Sequence, residues 1–336
     1  MLVDDLAFLA EYKYDHYEMY EPGVRFLERL HEWLAQFPDP AQRLAAAEFL
    51  RNRLVFISQR EMQDLARFMY FNQIVPILLD FILEREGLDS FQRATAFRDH
   101  FAAYLRRCLF IALSDGAKID YFRRHHVELS NEQVVPYYRA SSENYLDELR
   151  KQQGPEATFS HVILIDDFCG SGYTLAHKRP GAPALVDGSL QRVYEHHAPV
   201  IDQAEKVLVC HYVSTASAHR SVMGLVRRLP HYAMKTEWIT ALELDDDQNQ
   251  LRRNHDPLAT AIIRLCDQFH RPEFDDPNSL KGGGIRYGFG KEALPLVLYS
   301  NTPNNSVFVL WLERSPTSDA PGFTPIFRRV SRHRWK

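Results

Sequence analysis

The densest chemistry in the chain lies in His161-Val-Ile-Leu-Ile-Asp-Asp-Phe-Cys-Gly-Ser-Gly-Tyr-Thr174. The apolar run from Val162 to Ile165 reads as a buried strand. It delivers two carboxylates, Asp166 and Asp167, to the strand's C-terminal edge, where open α/β sheets bind ligands. Gly170, Ser171, Gly172, Tyr173 and Thr174 then form a turn, and a helix is expected to begin near Leu175. Glycines let backbone N–H groups approach an anion, and hydroxyls add donors beside a helix N-terminus. Carboxylates repel phosphate but accept hydrogen bonds from sugar hydroxyls or hold a metal through water. Together these groups suit a phosphorylated sugar. A strand-to-helix turn with a capping Asp is the structural alternative, and two aspartates at a buried strand end count against it.

Periodicity names the elements that must position this segment. Residues 1 to about 108 read as helices: Phe26, Leu27, Leu30, Trp33, Leu34 and Phe37 recur at helical spacing and stop at Pro38. Asp39 is placed to cap a second helix whose first residue is Pro40. From about 109 the period changes. Leu109–Leu113, Val162–Ile165, Val207–Val213, Pro295–Ser300 and Val307–Leu312 read as strands, alternating with helical stretches. Ser130 and Gln133 are spaced as a capping box. Segments 178–190 and 271–290 read as loops. The expected fold is α/β with a mostly parallel sheet, as residues 109–336, behind a helical region, 1–108.

Composition sets outer limits. The chain has 336 residues, 45% hydrophobic and 25% charged, which excludes a disordered chain, a collagen-like repeat and a small disulfide scaffold. A formal charge of -4 leaves no general basic field for nucleic acid. Aromatic residues reach 12%, which implies a substantial core or a stacking surface. Cys108, Cys169, Cys210 and Cys266 have no metal-knuckle spacing and read as buried thiols. The acidic N-terminus is not that of a signal peptide, and no apolar run approaches membrane length. The expected compartment is therefore the cytoplasm, with no membrane partner.

Other polar groups divide between turns and chemistry. Asn301-Thr-Pro-Asn304-Asn305 is a turn sequence, or a set of carboxamides that hydrogen-bond a base. His211, His219 and His255 lack a local partner pattern and read as structural. Asp245-Asp246-Asp247 reads as a solvated turn rather than a metal cluster. Arg328, Arg329, Arg332, His333, Arg334, Trp335 and Lys336 form a basic tail that would suit a nucleic-acid backbone or an acidic protein.

The Asp166-Asp167 turn resembles the ribose-phosphate signature of type I phosphoribosyltransferases. That resemblance implies ribose-hydroxyl contacts for Asp166 and Asp167 and a 5-phosphate cradle for Gly170–Thr174. Tyr173 stands where the family commonly has a small residue, and Gly170 where it has Thr. The resemblance also implies an earlier pyrophosphate loop, for which Leu113-Ser114-Asp115-Gly116-Ala117-Lys118 is suitably placed, with Arg123 and Arg124 as further cations. Over most of 45–330 the motif set is similar to the phosphoribosyltransferase-like proteins of bacterial conflict systems, the PRTase-CE group. Some of these are encoded beside retron reverse transcriptases or other phage-defence genes. The implied function is phosphoribosyl transfer or N-glycosidic cleavage by a toxic antiviral effector. Its implied ligands are Mg²⁺ and a nucleotide or phosphoribosyl substrate, and its implied partners a reverse transcriptase–nucleic acid complex or other defence proteins.

Two rival readings remain in view. Asp-x-Phe-Cys-Gly-Ser-Gly-x-Thr also looks like the S-adenosylmethionine motif of DNA amino-methyltransferases. The chain lacks their Asn/Asp/Ser-Pro-Pro-Tyr motif, and Val207–Val213 runs into Ser214-Thr215 rather than a carboxylate. A non-catalytic phosphoribose sensor would use the same site without turnover.

Overall fold

A computed structural model describes residues 2–137, 140–314 and 323–330. Among these, nine strands follow one another: β1 (Val55–Ile57), β2 (Cys108–Ala112), β3 (Val134–Val135), β4 (His161–Cys169), β5 (His177–Arg179), β6 (Ala182–Asp187), β7 (Lys206–Thr215), β8 (Thr236–Leu244) and β9 (Leu296–Leu298). The chain divides into two compact units, one of Met1–Met62 with Leu244–Lys336 and one of Gln63–Glu243. The change of period near 108 falls inside the second unit.

The Gln63–Glu243 unit is built on a five-stranded sheet in the order β3-β2-β4-β7-β8. β2 runs parallel to β3 and β4, and β4 parallel to β7. The expected mostly parallel α/β sheet is therefore present. Every residue of β2 is buried, as is His161–Ile165 of β4, which explains why these strands are unbroken apolar runs rather than alternating ones. Leu109, Ile111, Val162, Leu164, Val207 and Val209 pack together with Ala218, Val222 and Val226 of the helix Ala216–Val226. Truncating such a side chain to Ala typically costs about 2–5 kcal/mol.

The helical region is present but not uniform. Asp39 Oδ1 accepts the Ala41 N–H at 2.8 Å and Pro40 opens the helix Pro40–Asn52, as the sequence indicates. β1, Val55–Ile57, interrupts the helices expected throughout residues 1–108. Helix continues from Gln59 to Glu86, with a π-helical stretch at Met69–Ile74, beside Pro76, which has no N–H to give. This 28-residue segment is long and apolar enough to cross a membrane, a correction to the expectation that none is. Met69, Tyr70, Ile74, Leu78 and Ile82 on it are buried in protein, as in a core helix.

In the other unit β1 pairs in parallel with β9, Phe56 opposite Val297. β9 thus belongs to a small separate sheet, and Val307–Leu312 is not a strand but holds a 3-10 turn, Phe308–Leu310. Tyr14, Tyr17, Phe26, Phe56 and Phe327 form a buried aromatic cluster with ring centres 4.7–6.5 Å apart. Much of the high aromatic content is therefore core. The Trp33 indole N–H donates to the Val309 carbonyl at 2.7 Å, satisfying a buried donor.

Ser130 and Gln133 do form a capping box, on the 3-10 turn Asn131–Gln133. Asp245 caps the short helix Asp246–Asn249, accepting the N–H groups of Asp247 and Gln248 at 3.0 Å. All four cysteines are buried thiols. Of the basic tail, Arg328 pairs with Glu21 and Glu313, and Arg329 lies over the Trp311 ring. Arg332, His333, Arg334, Trp335 and Lys336 lie outside the described residues.

Candidate functional site

β4 extends further than its apolar run. Asp166 pairs with His211 and Cys169 with Ser214 of β7, so both aspartates stand within the strand rather than beyond it. Asp166 Oδ1 accepts the Asp167 N–H at 3.0 Å, and Asp167 Oδ1 accepts the Phe168 N–H at 2.9 Å. Those backbone bonds fix the direction of both carboxylates.

The end of β2 meets this pair. Ser114 Oγ donates to Asp166 Oδ1 and accepts the Gly116 N–H at 3.0 Å. Gly116 is buried against the second carboxylate: a Cβ there would stand 2.6 Å from Asp167 Cγ. Asp115–Ala117 make one 3-10 turn, and Lys118 follows in the left-handed region at φ 47°, ψ 42°. That conformation costs a non-glycine residue about 1–2 kcal/mol and is commonest where function demands it. The Tyr212 hydroxyl holds the turn from β7 by donating to the Ala117 carbonyl at 3.0 Å. Asp115 and Lys118 are exposed on its outer side.

Electrostatics follow from the enclosure. Burial raises the Asp166 carboxyl well above the usual carboxylate range, and the negative charge of Asp167 raises it further. The Ser114 hydroxyl and the Asp167 N–H oppose that shift by hydrogen bonding the charged form.

The glycine turn is held from behind by β7. Thr215 Oγ donates to the Gly170 carbonyl and accepts the Ala218 N–H at 3.0 Å, capping the helix Ala216–Val226. Gly172 has φ 73° and rests on that helix; a Cβ would stand 2.6 Å from Val222 Cγ2 and 3.3 Å from the Ala218 carbonyl oxygen. Only glycine meets both conditions. The Gly172 carbonyl accepts the N–H groups of Leu175 and Ala176 at 3.0 and 2.9 Å. The Ser171 hydroxyl accepts the Tyr173 N–H at 3.4 Å. Thr174 is exposed.

No helix begins at Leu175. The chain enters the antiparallel hairpin β5–β6, in the segment expected to be loop, and the next helix is Ser189–His196. Thr215 and Tyr212, the two residues that tie these turns to β7, were not among the residues expected at the site. A Thr ahead of an apolar-periodic helix is an N-cap signal, so Thr215 was legible. Tyr212, one apolar-looking residue within a buried strand, carried no such signal.

Asn301, Asn304 and Asn305 sit in the other compact unit. Asn301 Nδ2 donates to the Val330 carbonyl at 2.9 Å, and its Oδ1 accepts the Thr302 and Val330 N–H groups. Asn305 is buried and donates to the Phe289 carbonyl at 2.9 Å, while the Asn304 carbonyl accepts the Phe289 N–H. These are turn-building roles.

His211 is buried, stacked on Trp238 at 4.5 Å, with an Nδ1 that meets no partner. Burial pushes its imidazole down to about 3, so it stays neutral. For a metal, no group of three or more His, Cys, Asp or Glu side chains is gathered among the described residues. Two carboxylates with added phosphate oxygens are a donor set that suits Mg²⁺, which keeps several waters.

The family model PRTase-CE matches residues 30–329. No curated protein and no solved structure matches the chain.

Proposed function

The chain belongs to the PRTase-CE family, which is phosphoribosyltransferase-like, and from that premise we propose an enzyme that acts at the anomeric carbon of a 5-phosphorylated ribose. The observation that carries the proposal is the clasp of Ser114 and Gly116 on Asp166 and Asp167, beside a glycine turn braced by Thr215. In this reading Asp166 and Asp167 accept hydrogen bonds from the ribose hydroxyls, and Gly170, Ser171, Gly172, Tyr173 and Thr174 hold the 5-phosphate. Ser114, Asp115, Gly116 and Lys118 form the pyrophosphate loop, Lys118 supplying the charge.

Substitution at this carbon passes through an oxocarbenium-like state. A carboxylate close to the ring stabilises positive charge as it develops, an interaction stronger in the transition state than in the ground state. Fixing the phosphate and the sugar together removes rotational freedom before the bond breaks. Asp166 and Asp167, with phosphate oxygens, would hold a Mg²⁺, which neutralises leaving pyrophosphate. The Tyr212 hydroxyl on the Ala117 carbonyl holds the loop, with Lys118 in its left-handed conformation, before substrate arrives.

We further propose that the enzyme is a toxic effector of bacterial antiviral defence. Metabolite profiling of cells that express the wild type or Asp166→Ala/Asp167→Ala tests both levels. Depletion of a nucleotide or phosphoribosyl pool by the wild type alone is the expected result. Unchanged pools with intact phage protection would favour a phosphoribose sensor.

A further inference from the structure

We infer that the 5-phosphate of the substrate carries a further phosphate group, and that Lys178 and Arg179 of the β5–β6 hairpin bind it. The inference rests on the reading of Gly170–Thr174 as the phosphate turn.

The hairpin is fixed to that turn by both of its ends. His177 Nδ1 donates to the Tyr173 carbonyl at 2.9 Å, and the two rings stack at 4.4 Å with 9° between their planes. On the return, the Ser189 N–H donates to the Thr174 carbonyl and the Leu190 N–H to the Leu175 carbonyl, each at 3.0 Å. β5 therefore leaves the turn in a set direction.

Its charge is one-sided. β5 reads His177-Lys178-Arg179, and both Lys178 and Arg179 are exposed. Lys178 makes no ion pair among the described residues. Arg179 and Arg192 share one carboxylate, Asp187, at 4.0 and 3.6 Å. From 177 to 192 three cations face a single anion, in a chain whose formal charge is -4.

A ligand that ended at its 5-phosphate would leave Lys178 without an anion and Arg179 sharing Asp187 with Arg192. A 5-diphosphate would carry its second phosphate out of the turn, onto a strand whose surplus charge is positive. The same chemistry occurs in a nucleoside 5′-diphosphate and in a dinucleotide joined through a pyrophosphate. Lysine on an exposed edge strand also discourages strand pairing, and that role is blind to the ligand's phosphate count.

Calorimetric titration with AMP, ADP and diadenosine pyrophosphate, all with Mg²⁺, separates these cases. Wild type should bind ADP about threefold to tenfold more tightly than AMP at low salt, the scale of exposed charge contacts. High salt should shrink the difference. Lys178→Glu/Arg179→Glu, at two exposed positions, should bind AMP as the wild type does and ADP no better than AMP. A dinucleotide that outbinds ADP identifies the pyrophosphate-linked source; one that binds more weakly identifies the terminal diphosphate. Equal affinity for AMP and ADP in the wild type overturns the inference and leaves the phosphate turn standing. So does an ADP preference that survives in the variant. Absence of binding by all three removes the phosphate-turn reading and the inference with it.

Discussion

Gly116 lies against Asp167 so closely that a Cβ would stand 2.6 Å from the carboxylate carbon. The turn after β2 is thereby tied to the C-terminal part of β4. Ser114, from the same turn, donates to Asp166. A shift of the turn after β2 must therefore move both carboxylates.

Gly116→Ala tests this coupling. Its backbone is not left-handed, so alanine fits the chain locally, and the added methyl must displace Asp167. The variant should melt within a few degrees of the wild type yet lose phosphoribosyl pyrophosphate binding by about tenfold or more, the value of one charge-assisted hydrogen bond. Calorimetry with a parallel melting curve checks it. Unchanged affinity would mean that Asp167 has room to move and the contact does not position it.

The Thr215 hydroxyl bonds the Gly170 carbonyl and the Ala218 N–H, and lies 2.9 Å from the Ser217 hydroxyl. Thr215→Val keeps the shape and removes all three bonds. The cost should be about 1–2 kcal/mol of stability, the scale of a lost helix cap, with weaker phosphate binding. Thr215→Ser should restore both properties, read by denaturant unfolding and titration. A Ser variant as impaired as Val would show that the methyl group matters and the hydroxyl does not.

Gly172 is constrained by conformation and by space. Gly172→Ala should destabilise by about 1–2 kcal/mol through the left-handed backbone alone, with a further loss from the Val222 contact. Measured against Val222→Ala alone, Gly172→Ala should cost only the first part, because the contact is gone. No cost of Gly172→Ala in the Val222→Ala background would show that φ is not the constraint.

His211 and Asp166 give opposite pH dependences. His211 stays neutral in the folded protein down to about 3, whereas an unfolded histidine takes a proton below about 6.5. Between those values the unfolded state binds more protons, so this residue makes stability fall as pH drops. His211→Phe should flatten that loss. Asp166 is shifted upward, so the folded state binds the extra proton above about 3.9 and stability falls as pH rises through that region. Asp166→Asn should raise the melting temperature at neutral pH and lose that advantage under acid conditions. Melting curves across pH for the two variants check both signs; equal slopes in variant and wild type would contradict them.

Strands β2, β4 and β7 and the acidic pair were legible because buried parallel strands write themselves as apolar runs, and Asp166-Asp167 interrupts one of them; β3, with two residues, and β8, largely half-buried, show no such run. The glycine turn was legible as a close approach, but not its target: Gly172 packs on Ala218 and Val222, more than forty residues later in the chain. The hairpin after the turn was missed because Pro180, Gly181 and Pro183 make 178–190 read as loop, and a three-residue strand has too few positions to show alternation. Leu296–Leu298 was read correctly as a strand, yet its partner is Val55–Ile57, some 240 residues earlier. Local pattern names a strand; it does not name its neighbour.

Titration of the wild type and of Asp166→Asn/Asp167→Asn with phosphoribosyl pyrophosphate and Mg²⁺ tests the central claim most directly. The substitutions keep size and remove charge, so the double variant should keep the fold, with the higher melting temperature expected of Asp166→Asn at neutral pH. Two charge-assisted bonds, each about 1.5–3 kcal/mol, imply a loss of roughly a hundredfold or more in affinity. S-adenosylmethionine, titrated in parallel, should not bind. Binding of phosphoribosyl pyrophosphate by the wild type that disappears in the double variant is the predicted result. Equal affinity in both proteins, or S-adenosylmethionine binding that depends on Asp166, would contradict the account.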